Sequence, residues 1–110
     1  MFLQTMAQDG SFHEIWITKD VLPENLPAFK AEMYALKAQD GGEIRLNFEG
    51  VDQFCSWALG VLAVVARRIQ DAGGEITVSR LSPNLQRIFM YARLDRSVDV
   101  IKDRHVERAA

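Results

Sequence analysis

Few side chains in this sequence could do chemistry, and the most promising pair, Cys55 and Ser56, stands between a predicted strand and a predicted helix. Backbone N–H groups at such a position can activate a thiol or bind an anion. A phosphatase-type thiol needs an arginine where this chain has Val61, and no second cysteine offers a redox pair. We therefore interpret Cys55 as a half-buried packing residue, which is a common place for cysteine.

The other residues that could hold a metal or a phosphate are isolated. His13 lies in a predicted strand and His105 in a polar tail, with no cysteine or carboxylate at metal-ligand spacing. Gly41-Gly42 and Gly73-Gly74 precede predicted strands, whereas the glycines of phosphate loops precede helices. The sequence therefore predicts no metal, no cofactor and no enzyme activity.

Ser56 and Trp57 each have two interpretations. Ser56 could be a helix N-cap, whose hydroxyl accepts a backbone hydrogen bond worth about 1 kcal/mol, or it could have a regulatory role. Trp57 could pack in the core or could be an exposed anchor of the kind enriched in protein interfaces. The residue types leave these alternatives open.

The composition predicts one compact domain spanning residues 1–110. Hydrophobic residues make up 48% of the 110 positions and charged residues 25%, which is typical of a globular chain with a core. A single cysteine and an N-terminus without a basic, apolar leader favour the cytoplasm. The longest apolar run, Trp57 to Ala66, is about half of the roughly 20 residues that span a bilayer, so it predicts a buried helix and no membrane insertion.

The charge distribution favours a protein partner over a nucleic acid. The net charge is −2, but residues 1–55 carry 4 basic against 9 acidic side chains, and residues 56–110 carry 9 against 6. The two halves therefore carry −5 and +3. The basic residues of the second half are spread over several predicted elements and interleaved with acids, so no nucleic-acid site is expected.

Hydrophobic periodicity predicts the elements that position Cys55 and Ser56. Alternation and turn signals predict five strands, the first two paired across a turn at Gln8-Asp9-Gly10: 2–6, 12–18, 44–48, 76–78 and 98–101. Three helices separate the later strands. The first begins near Pro23 and Pro27 and ends near Gln39, the second follows Ser56, and the third opens at Ser82-Pro83 with serine as N-cap.

Each predicted helix has an apolar stripe for burial. These are Leu26, Phe29, Met33 and Leu36 in the first helix, Leu59, Leu62, Val65, Ala66 and Ile69 in the second, and Leu85, Ile88, Phe89 and Ala92 in the third. The order predicts an α/β fold, a mixed β-sheet of four to five strands covered by three to four helices. Sites in such folds gather at the carboxyl ends of strands, here the loops 49–56 and 79–82.

The segment from Val51 to Leu62 resembles the STAS signature V-x-x-x-D-S-S-G-L-G-x-L, with Ser56 in register. Ala72–Val78 is similar to the next strand of that family, and Ser82–Phe89 to its S-P-x-x-x-R-x-F/L helix. Leu94-Asp95 falls where the family usually has Gly-Leu. The resemblance covers about residues 10–101 and leaves a polar tail, 102–110. It implies the STAS (SpoIIAA-like) fold of anti-sigma factor antagonists.

The resemblance also implies a function in bacterial transcription regulation by partner switching. The aligned serine of anti-sigma factor antagonists is phosphorylated by the anti-sigma factor, a serine protein kinase, so Ser56 is the implied phosphorylation site. The implied partner-binding residues are Gln53, Phe54, Cys55, Ser56, Trp57, Ala58 and Ser82, on a monomer or weak dimer.

Three departures from the signature suggest an alternative. Cys55 replaces an aspartate, Trp57 a small residue and Ala58 a glycine. They fit a non-phosphorylated STAS accessory subunit that binds a transporter ATPase or another protein.

Overall fold

The computed structural model describes residues 2–9, 12–36, 42–91 and 99–100, which form one β-sheet and three α-helices. The strands are β1 (Leu3–Asp9), β2 (Phe12–Ile17), β3 (Glu43–Asn47), β4 (Glu75–Ser79) and β5 (Asp99–Val100), and the helices are α1 (Leu26–Tyr34), α2 (Ser56–Asp71) and α3 (Pro83–Tyr91). A 3-10 turn, Pro23–Asn25, precedes α1. The predicted order of elements and the α/β class are confirmed.

The five strands lie in the sheet in chain order, β1-β2-β3-β4-β5. β1 is antiparallel to β2, and the other neighbours are parallel, so the sheet is mixed as predicted. β1 continues to Asp9, so Gln8 and Asp9 belong to the strand rather than to the predicted turn. Gly10 lies outside the described residues.

All three helices cover the same face of the sheet. Right-handed crossovers between parallel neighbours that advance in one direction place every connecting helix on one side. Alternate strand residues point to that side and are buried: Ile15, Ile17, Ile44, Leu46, Ile76 and Val78. The residues that alternate with them, Glu14, Trp16, Arg45 and Thr77, face the other way, and all but Trp16 are polar.

The predicted stripes form the helical half of the core. All five stripe residues of α2 are buried, as are Phe29, Met33, Leu85 and Phe89. Leu26, Leu36 and Ile88 pack against this core from half-buried positions. Ala92 lies outside the described residues.

The C-terminal ends of α1 and α2 have different conformations. α1 ends at Tyr34, before the predicted end near Gln39, because the amides of Ala35 and Leu36 bond to Glu32 and Met33 in a tighter turn. α2 ends at Asp71, and Gly73 follows it in the left-handed conformation at φ 88°. Gln39, Leu94-Asp95, His105 and the tail 102–110 lie outside the described residues. No helix in the described part of the chain is long and apolar enough to cross a membrane.

Candidate functional site

The two loops predicted to carry the site leave the same edge of the sheet. Asn47 and Ser79, the last residues of β3 and β4, are partners across the parallel ladder. The Phe48 amide then donates to the Ser79 carbonyl at 2.9 Å. The loops that lead into α2 and α3 therefore start side by side. The Ser82 hydroxyl accepts a hydrogen bond from the Leu85 amide at 3.1 Å, which confirms it as the N-cap of α3.

The loop before α2 is fastened to the segment that follows β2. The Val21 amide donates to the Gln53 carbonyl and the Cys55 amide to the Val21 carbonyl, both at 3.0 Å. The Asp20 carboxylate accepts the Asp52 amide at 2.7 Å. Asp20 and Val21 were not predicted as part of the site, because no local sequence pattern marks a pairing between segments so far apart in the chain.

Arg80 is another residue near the site that the sequence pattern did not predict. It adopts a left-handed conformation, φ 63°, although it is not glycine, directly after β4. Such a conformation is uncommon for an arginine and turns the chain sharply. The turn leads through buried Leu81 to Ser82 and so sets where α3 begins. Neither glycine nor asparagine stands there to signal it.

The N-cap of α2 is Cys55, so the prediction that Ser56 caps this helix is wrong. The Cys55 carbonyl accepts the Ala58 and Leu59 amides at 2.9 and 3.2 Å, and its backbone is extended, with φ −66° and ψ 162°. The bond from the Cys55 amide to Val21 accounts for this conformation, so helical geometry starts at Ser56. The Cys55 side chain makes no capping hydrogen bond and is half-buried, as expected of a packing residue.

Ser56 and Trp57 form an exposed pair at the start of α2. Ser56 is exposed, and the Trp57 side chain is 67% exposed, which decides between its two interpretations. Within the described residues, neither the Ser56 hydroxyl nor the amides of Ser56 and Trp57 have a hydrogen-bond partner. The helix start thus offers one hydroxyl and two N–H groups to solvent.

Burial divides the six predicted partner-binding residues around the start of α2 into two sets, and the seventh, Ser82, is half-buried at the start of α3. Gln53, Ser56 and Trp57 are exposed, and Cys55 lies between them at intermediate burial. We call these four residues the docking surface. Phe54 is only 4% exposed and Ala58 is fully buried, so they can position the loop but cannot present their side chains to a partner.

Phe54 anchors the loop in a chain of aromatic contacts. Its ring lies 5.5 Å from Phe29 of α1 and 5.3 Å from Phe48, both edge to face, and 6.2 Å from Phe89 of α3, stacked. Such pairs contribute about 0.5–1.5 kcal/mol each beyond burial. The loop that leads to Ser56 is therefore anchored in the hydrophobic core.

The loop that leads to the docking surface is acidic. Glu49 and Asp52 are exposed on the loop, and no basic residue stands between Glu49 and Ser56. No group of three potential metal ligands occurs among the described residues, and the His13 ring instead shares a 3.0 Å hydrogen bond with Thr5.

The chain belongs to the STAS domain family, since the family model for the MlaB STAS domain matches residues 6–102. A search of curated proteins finds no significant relative. Among solved structures, the Thermotoga maritima protein TM1081, a candidate anti-sigma factor antagonist, superposes with a TM-score of 0.75 at 20% identity. That match covers 92% of this chain and 86% of the other.

Two further anti-sigma factor antagonists have the same fold. The one from Mycobacterium paratuberculosis gives a TM-score of 0.72 at 16% identity, covering 92% of this chain and 86% of its own. The phosphorylated form of SpoIIAA, a Bacillus cell fate determinant, gives 0.64 at 16% identity, covering 98% and 99%. The STAS (SpoIIAA-like) fold expected from the sequence is confirmed.

Proposed function

We propose that this protein is an anti-sigma factor antagonist-like regulator that binds an anti-sigma factor with serine kinase activity and is controlled by phosphorylation of Ser56. The observation that carries the proposal is the exposed Ser56 hydroxyl at the first residue of α2, beside exposed Trp57. The protein is then a binding module rather than an enzyme. It works in the cytoplasm, where Cys55 stays reduced.

The docking surface is preformed, which favours binding. Hydrogen bonds to Val21 and Asp20 fix the loop to the segment that follows β2, and the ring contacts of Phe54 fix it to the hydrophobic core. A partner therefore does not have to order the loop, and the cost of immobilising it on binding is small. A kinase can also reach the hydroxyl without unfolding any element.

The fold can accept a phosphate on Ser56. Phosphorylation adds about −1.5 to −2 charges, and the N-terminus of a helix stabilises negative charge. The free amides of Ser56 and Trp57 are potential donors to it. The domain is therefore expected to stay folded after modification.

The same phosphate opposes docking. It adds negative charge beside the loop that already carries Glu49 and Asp52. A partner that packs against Ser56 would also have to desolvate the phosphate, which costs free energy. Each 1.4 kcal/mol lost in this way weakens binding tenfold. Modification of one hydroxyl is then enough to release the partner.

The test is the intact mass of the protein after incubation with ATP and the serine kinase that co-purifies with it. We expect one added phosphate on the wild type and none on Ser56→Ala. Thr5→Ala is the control, because it removes an exposed hydroxyl from β1, and this variant should still take up the phosphate. Absence of phosphate on the wild type would remove the switch.

Trp57 supports a second candidate function, that of a non-phosphorylated STAS accessory subunit that binds a transporter ATPase. A large exposed aromatic side chain stands where the resembling signature has a small residue, and Cys55 replaces the carboxylate before the serine. A permanent interface would use Trp57 as its anchor. In that case a transporter ATPase co-purifies, and Trp57→Ala weakens its binding whereas Ser56→Ala does not.

A further inference from the structure

Arg80 has a backbone conformation that its residue type disfavours. Its φ of 63° lies in the left-handed region, and in the described part of the chain it is the only residue other than glycine with a positive φ. The Cβ atom of such a residue crowds the backbone, so the conformation carries strain. Strained residues of this kind cluster at ligand-binding sites and switch regions, which makes Arg80 a candidate for a function.

The turn at Arg80 does not itself need an arginine. β4 ends at Ser79, and the chain turns at Arg80 and passes through buried Leu81 before α3 begins at Pro83. Glycine enters the left-handed region without strain, and the chain uses it in this way at Gly73. The turn therefore accounts for the backbone at position 80, and the identity of the residue points to its side chain.

Arg80 lies at the same edge of the sheet as the docking surface. It is exposed, and it directly follows Ser79, whose carbonyl accepts the Phe48 amide at 2.9 Å. The Phe48 ring in turn lies 5.3 Å from the ring of Phe54, which precedes Cys55 of the docking surface. A hydrogen bond and a ring contact thus join the turn at Arg80 to the loop before α2.

The charge of Arg80 is opposite to that of the neighbouring loop. Arg80 is the only basic residue in the two loops 49–56 and 79–82, where Glu49 and Asp52 are acidic and exposed. A guanidinium binds a carboxylate through two parallel hydrogen bonds, and arginine is enriched among the residues that dominate protein interfaces. The chemistry that complements this residue is therefore a carboxylate on another protein.

We propose that Arg80 is a specificity-determining residue of the docking site and binds a carboxylate side chain of the partner protein. This inference rests on the proposed function, because it needs a protein that docks beside Ser56 and Trp57. The partner then has to offer an apolar pocket for the tryptophan and an acidic residue for the arginine. A protein that offers only one of these features binds less tightly, which gives the site its selectivity.

The test is the dissociation constant of the co-purifying partner for three variants at position 80, measured by isothermal titration calorimetry. Arg80→Gly removes the guanidinium and relieves the strain, so we expect the constant to rise about tenfold or more while the melting temperature stays unchanged or rises. Arg80→Gln keeps a long polar side chain without the charge and should bind as weakly as Arg80→Gly. Arg80→Lys keeps the charge without the planar fork and should bind with intermediate affinity.

Lys30→Ala is the control, because it removes an exposed positive charge from α1 and should leave the dissociation constant unchanged. Wild-type affinity of Arg80→Gly would overturn the inference. Wild-type affinity of Arg80→Gln would overturn it as well, because the charge would then not be what the partner recognises.

Trp57→Ala, titrated in the same series, separates the failure of this inference from the failure of the proposed function. If Trp57→Ala weakens binding and Arg80→Gly does not, the partner docks at the start of α2 without using Arg80, and only this inference is wrong. If neither substitution weakens binding, the partner docks elsewhere on the chain, and both the inference and the proposed docking site are wrong.

Discussion

The Asp20 carboxylate accepts a hydrogen bond from the Asp52 backbone amide at 2.7 Å and so joins the chain after β2 to the loop that carries the docking surface. Asp20→Ala removes this acceptor. Because the contact is exposed, we expect a loss of only about 0.5–1.5 kcal/mol in the free energy of unfolding. Hydrogen exchange at the amides of Asp52 and Cys55 should nevertheless become faster. Glu24→Ala serves as the control, and unchanged exchange at Asp52 would show that the bond does not hold the loop.

The neighbours Phe54 and Trp57 should differ sharply in their effect on stability. Phe54→Ala removes a ring that is buried among three other aromatic rings, and we expect a loss of about 3–5 kcal/mol. Trp57→Ala removes an exposed side chain and should change stability by less than about 0.5 kcal/mol. Urea unfolding measures the free energy of unfolding of each variant. Similar losses for the two would contradict the finding that Phe54 is buried and Trp57 is exposed.

Cys55 leaves the N-cap of α2 without a side-chain acceptor, so a carboxylate there should stabilise the helix. We expect Cys55→Asp to raise the free energy of unfolding by about 1 kcal/mol, because aspartate accepts the orphan amides of the first turn. Cys55→Ala lacks an acceptor and should give no gain. Thermal unfolding compares the stability of Cys55→Asp and Cys55→Ala. Equal stability of the two variants would argue against residue 55 as the N-cap of α2.

Glu32 of α1 holds the first strand against the helices. Its carboxylate accepts the Phe2 amide at 2.9 Å and the Leu3 amide at 3.0 Å in a partly buried position. Hydrogen bonds to a charged group contribute about 1.5–3 kcal/mol, so Glu32→Ala should destabilise the protein by that order. Chemical unfolding with Glu24→Ala as the matched acidic control measures the effect. Equal free energies of unfolding for these two variants would mean that the Glu32 hydrogen bonds do not stabilise the attachment of β1.

Local patterns predicted most of the fold and part of the site. The Ser82 cap was predictable because serine, proline and the first turn of α3 interact within a few residues. The cap of α2 was not, because the conformation of Cys55 depends on Val21, which is distant in sequence. Periodicity also could not separate Phe54 from Trp57. Both are large and apolar beside a helix start, and only the packing of three helices on one sheet face decides which is buried.

The most direct test of the account is the affinity of the co-purifying partner for Trp57→Ala, because the docking surface serves both proposed functions. Buried tryptophans dominate many interfaces, so we expect the dissociation constant to rise at least about tenfold. Tyr91→Ala removes a side chain that is 82% exposed on α3 and should leave the constant unchanged. Isothermal titration calorimetry on folded variants gives both values. If Trp57→Ala binds as tightly as the wild type, the helix start at Ser56 is not where the partner docks.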